Sequence, residues 1–230
     1  MTTAATGSQL LDQFLHGGYE TDTVTTVFGP AGCGKTTLAL LAAVACAKLG
    51  KKAIYLDTEG GFSVERLKQL TTDHKKVQQS IIFLKPTKFE EQTKAIEKLN
   101  QLITPSIGLI IIDSLSMLYR LERSTNSEES KAFTQQLGSQ LRTLSEITRR
   151  KNIPILLTSQ VYAAFDQPHT HNVVRLVGGE LVKYASKCLL EIQALHGSRR
   201  KIILRKHRSI GGEQEVLFDI VHTGIHEVTA

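Results

Sequence analysis

The sequence predicts an α/β fold: a mostly parallel central sheet with helices on both faces, followed by a C-terminal β-meander. Three observations lead there. Short, continuous apolar runs such as residues 109–112 alternate with longer helical patterns, as strands covered on both faces do. One apolar run, Val24–Phe28, passes directly into a glycine loop and then a helical segment. After about residue 185 the helical pattern gives way to three strand-like runs joined by glycine-containing turns.

Taken in order, Val24–Phe28 is β-branched and ends at Gly29. Residues 36–49 are helical by composition and stop at Gly50, the residue type that most often follows a helix end. Residues 53–57 form the next strand, and Ser63 is placed to cap a helix running to Leu70. Ile81–Leu84 is a strand, and residues 89–102 a helix whose apolar positions are Phe89, Ala95, Ile96, Leu99 and Leu102. An apolar strand at 109–112, a long amphipathic helix at 130–150 and another apolar strand at 153–158 follow. The meander is residues 188–195, 201–206 and 214–220, with turns at 196–198 and 210–213. No linker rich in Pro, Gly or Ser divides the chain, so residues 1–230 are expected to form one domain.

At 230 residues and 25.4 kDa, with 41% hydrophobic and 22% charged residues, the chain has the composition of a globular protein with a full core. Its longest apolar stretch, residues 38–47, is half the roughly 20 residues that a membrane helix needs. The N-terminus shows no basic-then-apolar signal, so the cytoplasm is the expected compartment and no membrane partner is expected. Cys33, Cys46 and Cys188 are widely spaced and odd in number, which favours neither a disulfide framework nor a zinc site. The net charge of +6 is unevenly placed. Residues 183–208 hold eight Lys or Arg against one acid, Glu191, and such a basic segment points to a polyanion partner.

The strongest motif is Gly29-Pro30-Ala31-Gly32-Cys33-Gly34-Lys35-Thr36, which matches GxxxxGK[ST] between a strand and a helix. Its glycines let backbone N–H groups turn towards phosphates, and the helix N-terminus adds a partial positive charge. Lys35 would neutralise the terminal phosphates, Thr36 would place its hydroxyl on Mg²⁺, and Thr37 is expected with Gly29–Thr36 among the nucleotide-binding residues. The ligand expected is therefore ATP with Mg²⁺. Asp113 ends the apolar strand 109–112 and is the expected second metal residue.

Hydrolysis also needs a group to position or deprotonate the attacking water. Tyr55-Leu56-Asp57-Thr58-Glu59-Gly60-Gly61 offers Glu59 as the first choice and Asp57 as the alternative. Gln160, in Thr158-Ser159-Gln160 at the end of the next strand, is either a γ-phosphate sensor or a polar loop residue.

Several segments together resemble the RecA/RadA recombinase family. Thr6-Gly7-Ser8, Leu11-Asp12 and Leu15-His16-Gly17-Gly18 are similar to its lead-in to the phosphate loop. Asp57-Thr58-Glu59-Gly60 resembles its catalytic-glutamate segment, Ser159-Gln160-Val161 its γ-phosphate-sensing segment, and Gly178-Gly179 the end of its second DNA loop. The resemblance covers almost the whole chain. It implies a RecA-type nucleotide-binding core with Glu59, Lys35 and Gln160 as the catalytic set. In the C-terminal half, Lys183-Tyr184, Ser186-Lys187 and Lys206-His207-Arg208-Ser209 are similar to short archaeal paralogues of the RadA recombinase.

That likeness implies two DNA loops. The first would begin near Tyr119-Arg120 and the second would run over about 161–177, with Arg120, Arg175, His169 or His171 facing phosphate and Asp166 weakening the charge. The basic strand would add Arg199, Arg200, Lys201, Arg205, Lys206 and Arg208, contacts that carry salt dependence rather than sequence preference. The partners implied are single-stranded or branched DNA, the RadA recombinase, a Holliday-junction resolvase and a second copy of the chain. Only five residues precede Thr6, so the family's helix-hairpin-helix domain is not expected, nor is its Phe-x-x-Ala polymerisation sequence. The expected role is an accessory factor: a weak ATPase that binds DNA without strand exchange of its own. A KaiC-like signalling ATPase without a DNA role shares the glycine loop and Glu59. A small-molecule kinase lacks a recognisable lid, and a GTPase lacks Asn-Lys-x-Asp.

Overall fold

The computed structural model describes residues 2–122, 127–163 and 174–228. A two-stranded lead-in pairs β1 (Thr3–Ala4) with β2 (Tyr19–Glu20) across α1 (Gln9–Phe14). β3 (Val24–Phe28) then delivers the chain to the glycine loop and α2 (Lys35–Lys48). β4 (Lys52–Asp57), α3 (Val64–Leu70), α4 (His74–Gln79) and β5 (Ile81–Leu84) follow. The expected helix over 89–102 breaks at Lys98 into α5 (Phe89–Glu97) and α6 (Leu99–Leu102). β6 (Ile107–Asp113), α7 (Met117–Glu122), α8 (Ser127–Lys151) and β7 (Ile155–Ser159) complete the repeating part. An antiparallel ribbon of β8 (Val161–Ala163) and β9 (Val174–Leu176) leads to α9 (Gly179–Ala185). β10 (Cys188–Ala194), β11 (Arg199–Lys206), β12 (Gln214–Val221) and β13 (Gly224–Glu227) finish the chain.

Nine strands form one sheet in the order β13-β12-β11-β10-β3-β7-β6-β4-β5. The run from β10 to β5 is parallel throughout, and β11, β12 and β13 each lie antiparallel to the preceding strand. β10, expected as the first strand of the meander, therefore also closes the parallel core, with Cys188 to Glu191 in register with Thr25 to Phe28. That pairing places the meander beside the strand that carries the glycine loop.

Each face of the sheet has its own core. One gathers α2 with Tyr55, Ile111, Leu156, Leu190, Ile202 and Phe218, and the other gathers Phe89, Ile96, Leu118, Leu141, Leu144 and Val182 from α5 to α9 against Ile54, Ile110 and Leu157. Strands apolar on both sides are what this double cover requires. α2 is buried without a break from Leu38 to Ala47, because the sheet, α3, α4 and the meander enclose it. Among the described residues no helix is long and apolar enough to cross a membrane.

Candidate functional site

The carboxyl ends of β3, β4, β6 and β7 converge on a cleft of about 340 Å³. Ala31, Gly32, Gly34, Lys35, Thr36 and Thr37 line it from the glycine loop, and Glu59, Asp113 and Gln160 from the neighbouring strand ends. The cleft lies where ligands bind in open parallel sheets, outside the carboxyl ends of the strands. Two loop glycines are required by close approach. A Cβ on Gly29 would lie 2.4 Å from the Ile192 carbonyl oxygen, and one on Gly34 (φ 108°) would lie 2.5 Å from Ile220 Cδ1. The meander thus presses on the loop from outside and fixes its curve.

Lys35 is buried, and its Nζ donates to the Gly29 and Pro30 carbonyls at 3.0 and 2.8 Å. Cys33 is fully buried beneath the loop, and desolvation holds its thiol pKa up. It forms part of the loop's foundation and does not line the cleft.

Asp113 is buried at the end of β6, where its Oδ1 accepts from Thr158 Oγ1 at 2.5 Å and its Oδ2 from Tyr55 Oη at 2.8 Å. Burial raises its pKa, and the hydroxyls of Thr158, Tyr55 and Thr36 oppose that rise. A carboxylate beside a threonine hydroxyl, joined by phosphate oxygens, is the oxygen-only set that Mg²⁺ prefers. These residues therefore fit the metal. The Asp113–Ser114 peptide is cis.

Asp57 and Glu59, the two candidate carboxylates, have different surroundings. Asp57 is buried and uses both carboxylate oxygens to accept from the Gly61 and Phe62 amides, at 3.0 and 3.2 Å. Glu59 is exposed to the cleft, and its Oε1 accepts from Ser114 Oγ at 2.5 Å and from Gln160 Nε2 at 3.0 Å. Ser114 is itself held through Thr58, whose Oγ1 donates to the Ser114 carbonyl and accepts from its amide. Gln160 is anchored by its amide to Ser116 Oγ at 3.1 Å, and its carbonyl accepts from Val177 at the foot of the β8–β9 ribbon.

The Rad51 family profile matches residues 1–228. The chain belongs to the Rad51 family. Two of its relatives are called "DNA repair and recombination protein RadB". The protein of Methanobrevibacter smithii is 37% identical over 220 residues, which is 94% of this chain and 92% of that one. That of Methanocaldococcus jannaschii is 36% identical over 217 residues, 94% and 98% of the two chains. A solved structure described as "Crystal structure of the RadB recombinase" superposes with a TM-score of 0.82 at 31% identity, covering 99% of this chain and 100% of its own. The RecA-type core and the RadB-like character of the C-terminal half are thereby shown.

In this Rad51-family chain the sites expected to face DNA have varied surroundings. Arg120 is exposed on α7. The side chain of Arg175, and Asp166, His169 and His171, lie outside the described residues. On β11, Arg199 is exposed, whereas Lys201 pairs with Glu215 at 3.0 Å. Arg205 pairs with Glu191 at 2.6 Å and also with Glu213. Arg208 grips Asp22 through two nitrogens at 2.8 and 2.6 Å and reaches Glu20 at 2.8 Å. Lys206 donates to the Lys183 and Ser186 carbonyls, both at 2.7 Å, at the end of α9. Arg200 points away from these pairs and lines the cleft. The local charge excess is thus partly cancelled by Glu213 and Glu215 just beyond the 183–208 window and by Glu20 and Asp22 from the N-terminal segment. Sequence reasoning did not single out Tyr55, Ser114, Thr158 or Ile220 for the site. A hydroxyl on a buried strand, or an isoleucine 184 positions from Thr36, gives no spacing signal.

Proposed function

We propose that this chain binds ATP·Mg²⁺ in the cleft and uses it to control a contact with DNA, as an accessory protein of homologous recombination and repair. The observation that carries the reading is the hydrogen-bonded line from Glu59 through Gln160 to Val177, which ties the cleft to the ribbon of the second loop. Membership of the Rad51 family and the names of its RadB relatives support the recombination role.

Lys35 is held at the mouth of the loop by two carbonyls, and an incoming phosphate exchanges those bonds for stronger charge-assisted ones. Thr36 and Asp113 would hold Mg²⁺, which when bound neutralises charge between the terminal phosphates. Glu59 orients or deprotonates water. Both its hydrogen bonds fall on Oε1, which leaves Oε2 for that water. Gln160 senses the terminal phosphate by exchanging its bond to Glu59 for one to the phosphate, and passes the change to the ribbon. Turnover is weak, and strand exchange is left to the full recombinase. The partners are single-stranded or branched DNA, the RadA recombinase, a junction resolvase and a second copy of the chain. Arg120 and Arg199, exposed and unpaired among the described residues, are the leading DNA contacts.

Fluorescence anisotropy of a labelled single-stranded oligonucleotide, with and without ATP·Mg²⁺ across a salt series, tests the reading. Binding that weakens steeply with salt and changes with ATP supports it. Binding that ignores ATP, or is absent at low salt, rejects it. Lys35→Ala should lose the ATP effect while retaining salt-dependent binding.

A further inference from the structure

Arg200 is the one cation of β11 that lines the cleft. Lys201 and Arg205 have carboxylate partners, whereas among the described residues no carboxylate pairs with Arg199, Arg200 or Lys206, and of these three only Arg200 reaches the glycine loop. Its Nη1 donates to the Gly197 and Arg199 carbonyls, both at 2.8 Å, which fixes the guanidinium in place. Nη2 lies 3.5 Å from the Gly32 carbonyl of the glycine loop, and Nε is enclosed with no hydrogen-bond partner. The side chain lines the cleft together with Gly34 and Ile220, and Ile220 is the residue that closes on Gly34.

A half-buried guanidinium held by carbonyls alone has no counter-charge beside it among the described residues and retains unused donor capacity. Its planar fork suits phosphate, and the nearest place for an anion is the cleft it lines. The alternation of β11 makes this possible. Arg200 shares a strand face with Ile202 and Leu204, which pack on the α2 side, while Arg199, Lys201 and Arg205 share the opposite face.

We propose that Arg200 is a nucleotide ligand supplied by the meander of the same chain. It binds the phosphate groups of a nucleoside triphosphate from the side opposite Glu59 and is not a DNA contact. The inference rests on the nucleotide reading above and adds a phosphate-binding residue outside the glycine loop. Because the contact is to phosphate, it is indifferent to the base.

The test is isothermal titration of ATP and of GTP into the full chain and into Arg200→Gln, Arg200→Lys and Arg150→Gln. Arg150, exposed on α8, serves as a charge-matched control. Loss of one charge-assisted contact should weaken Arg200→Gln about tenfold for both nucleotides. Arg200→Lys should recover part of that loss, and Arg150→Gln should bind like the parent. Circular dichroism melting of each variant identifies any that fail to fold. Unchanged ATP affinity in folded Arg200→Gln, with weakened oligonucleotide binding in the same preparation, would overturn the inference and return the residue to the DNA surface. Loss of ATP binding alone, with GTP unaffected, would overturn the phosphate assignment in favour of base recognition. Failure of the parent chain to bind either nucleotide would remove the cleft reading and this inference together.

Discussion

Gln160 Nε2 donates to Glu59 Oε1 at 3.0 Å, joining the ends of β7 and β4 across the end of the intervening β6, where Ser114 supplies the third partner. This bond makes the carboxylate proposed to position water and the proposed sensor one unit, so changes at either should be felt at both.

Glu59→Gln should keep ATP affinity and lose hydrolysis by at least about a hundredfold, the usual contribution of a positioned base. Nucleotide titration followed by a phosphate-release assay separates the two effects. Retained turnover in a clean preparation would remove Glu59 from the role.

Gln160→Ala should leave ATP affinity within a few fold but abolish the ATP dependence of oligonucleotide binding. The Gln160 backbone bonds to Ser116 and Val177 survive the change, so the ribbon stays attached while the sensing amide is lost. Anisotropy at fixed salt, with and without ATP·Mg²⁺, measures this directly.

Gly34→Ala should destabilise the chain by about 1–3 kcal/mol, in the range of overpacking and strained backbone. The new methyl would meet Ile220 Cδ1 at 2.5 Å in a left-handed conformation. The double variant Gly34→Ala/Ile220→Ala should recover the steric part of the loss and not the conformational part. Urea denaturation of the three proteins measures both shares.

His207 gives a pH dependence whose sign follows from its environment. Its Nδ1 accepts from the Ser209 and Ile210 amides, both at 3.2 Å, so the ring is held neutral with its proton on Nε2. Desolvation lowers its pKa. Arg208 and His16 act in the same direction, and Glu20 opposes them. The native state therefore resists protonation. Its contribution is complete above the ordinary histidine value of about 6.5 and is lost as pH falls below it. Denaturant midpoints at pH 7.5 and 5.5 should differ more for the parent than for His207→Gln.

For DNA binding, Arg120→Gln and Arg199→Gln should each lower the slope of log affinity against log salt by a little under one. Arg205→Gln should leave that slope unchanged while costing stability, because Glu191 and Glu213 already hold its guanidinium. Equal slopes for all three variants would show that the ion pairs of β11 open on binding.

The parallel core was legible because its strands are apolar on both faces and its punctuation is strict. Val24–Phe28 and Ile81–Leu84 fall within the bounds their composition implies, and Ser63 caps α3 by accepting from the Arg66 amide at 3.1 Å. Short elements were not legible. α1 and α9 have too few turns to display a period, and the β8–β9 ribbon is three residues on each side. In the cleft, Lys35, Thr36, Asp113 and Glu59 could be named because motif and strand end place them. The surface charge could not be read along the chain. Glu213, Glu215 and Asp219 lie outside the basic window, yet strand pairing returns them beside Arg205, Lys201 and Arg199. Charge density along a β-strand is a property of its neighbours as much as of its own residues.

α2 begins with the residues that would hold the nucleotide and is then buried for ten consecutive positions in one of the two cores. That first turn runs directly into the core, so a ligand bound as proposed in the cleft would stabilise the whole folded chain against unfolding. A ligand at a hundred times its dissociation constant should add about 2.7 kcal/mol to the unfolding free energy. The whole chain thereby becomes its own binding sensor: a melting curve, needing neither label nor turnover, reports any molecule that the glycine loop accepts.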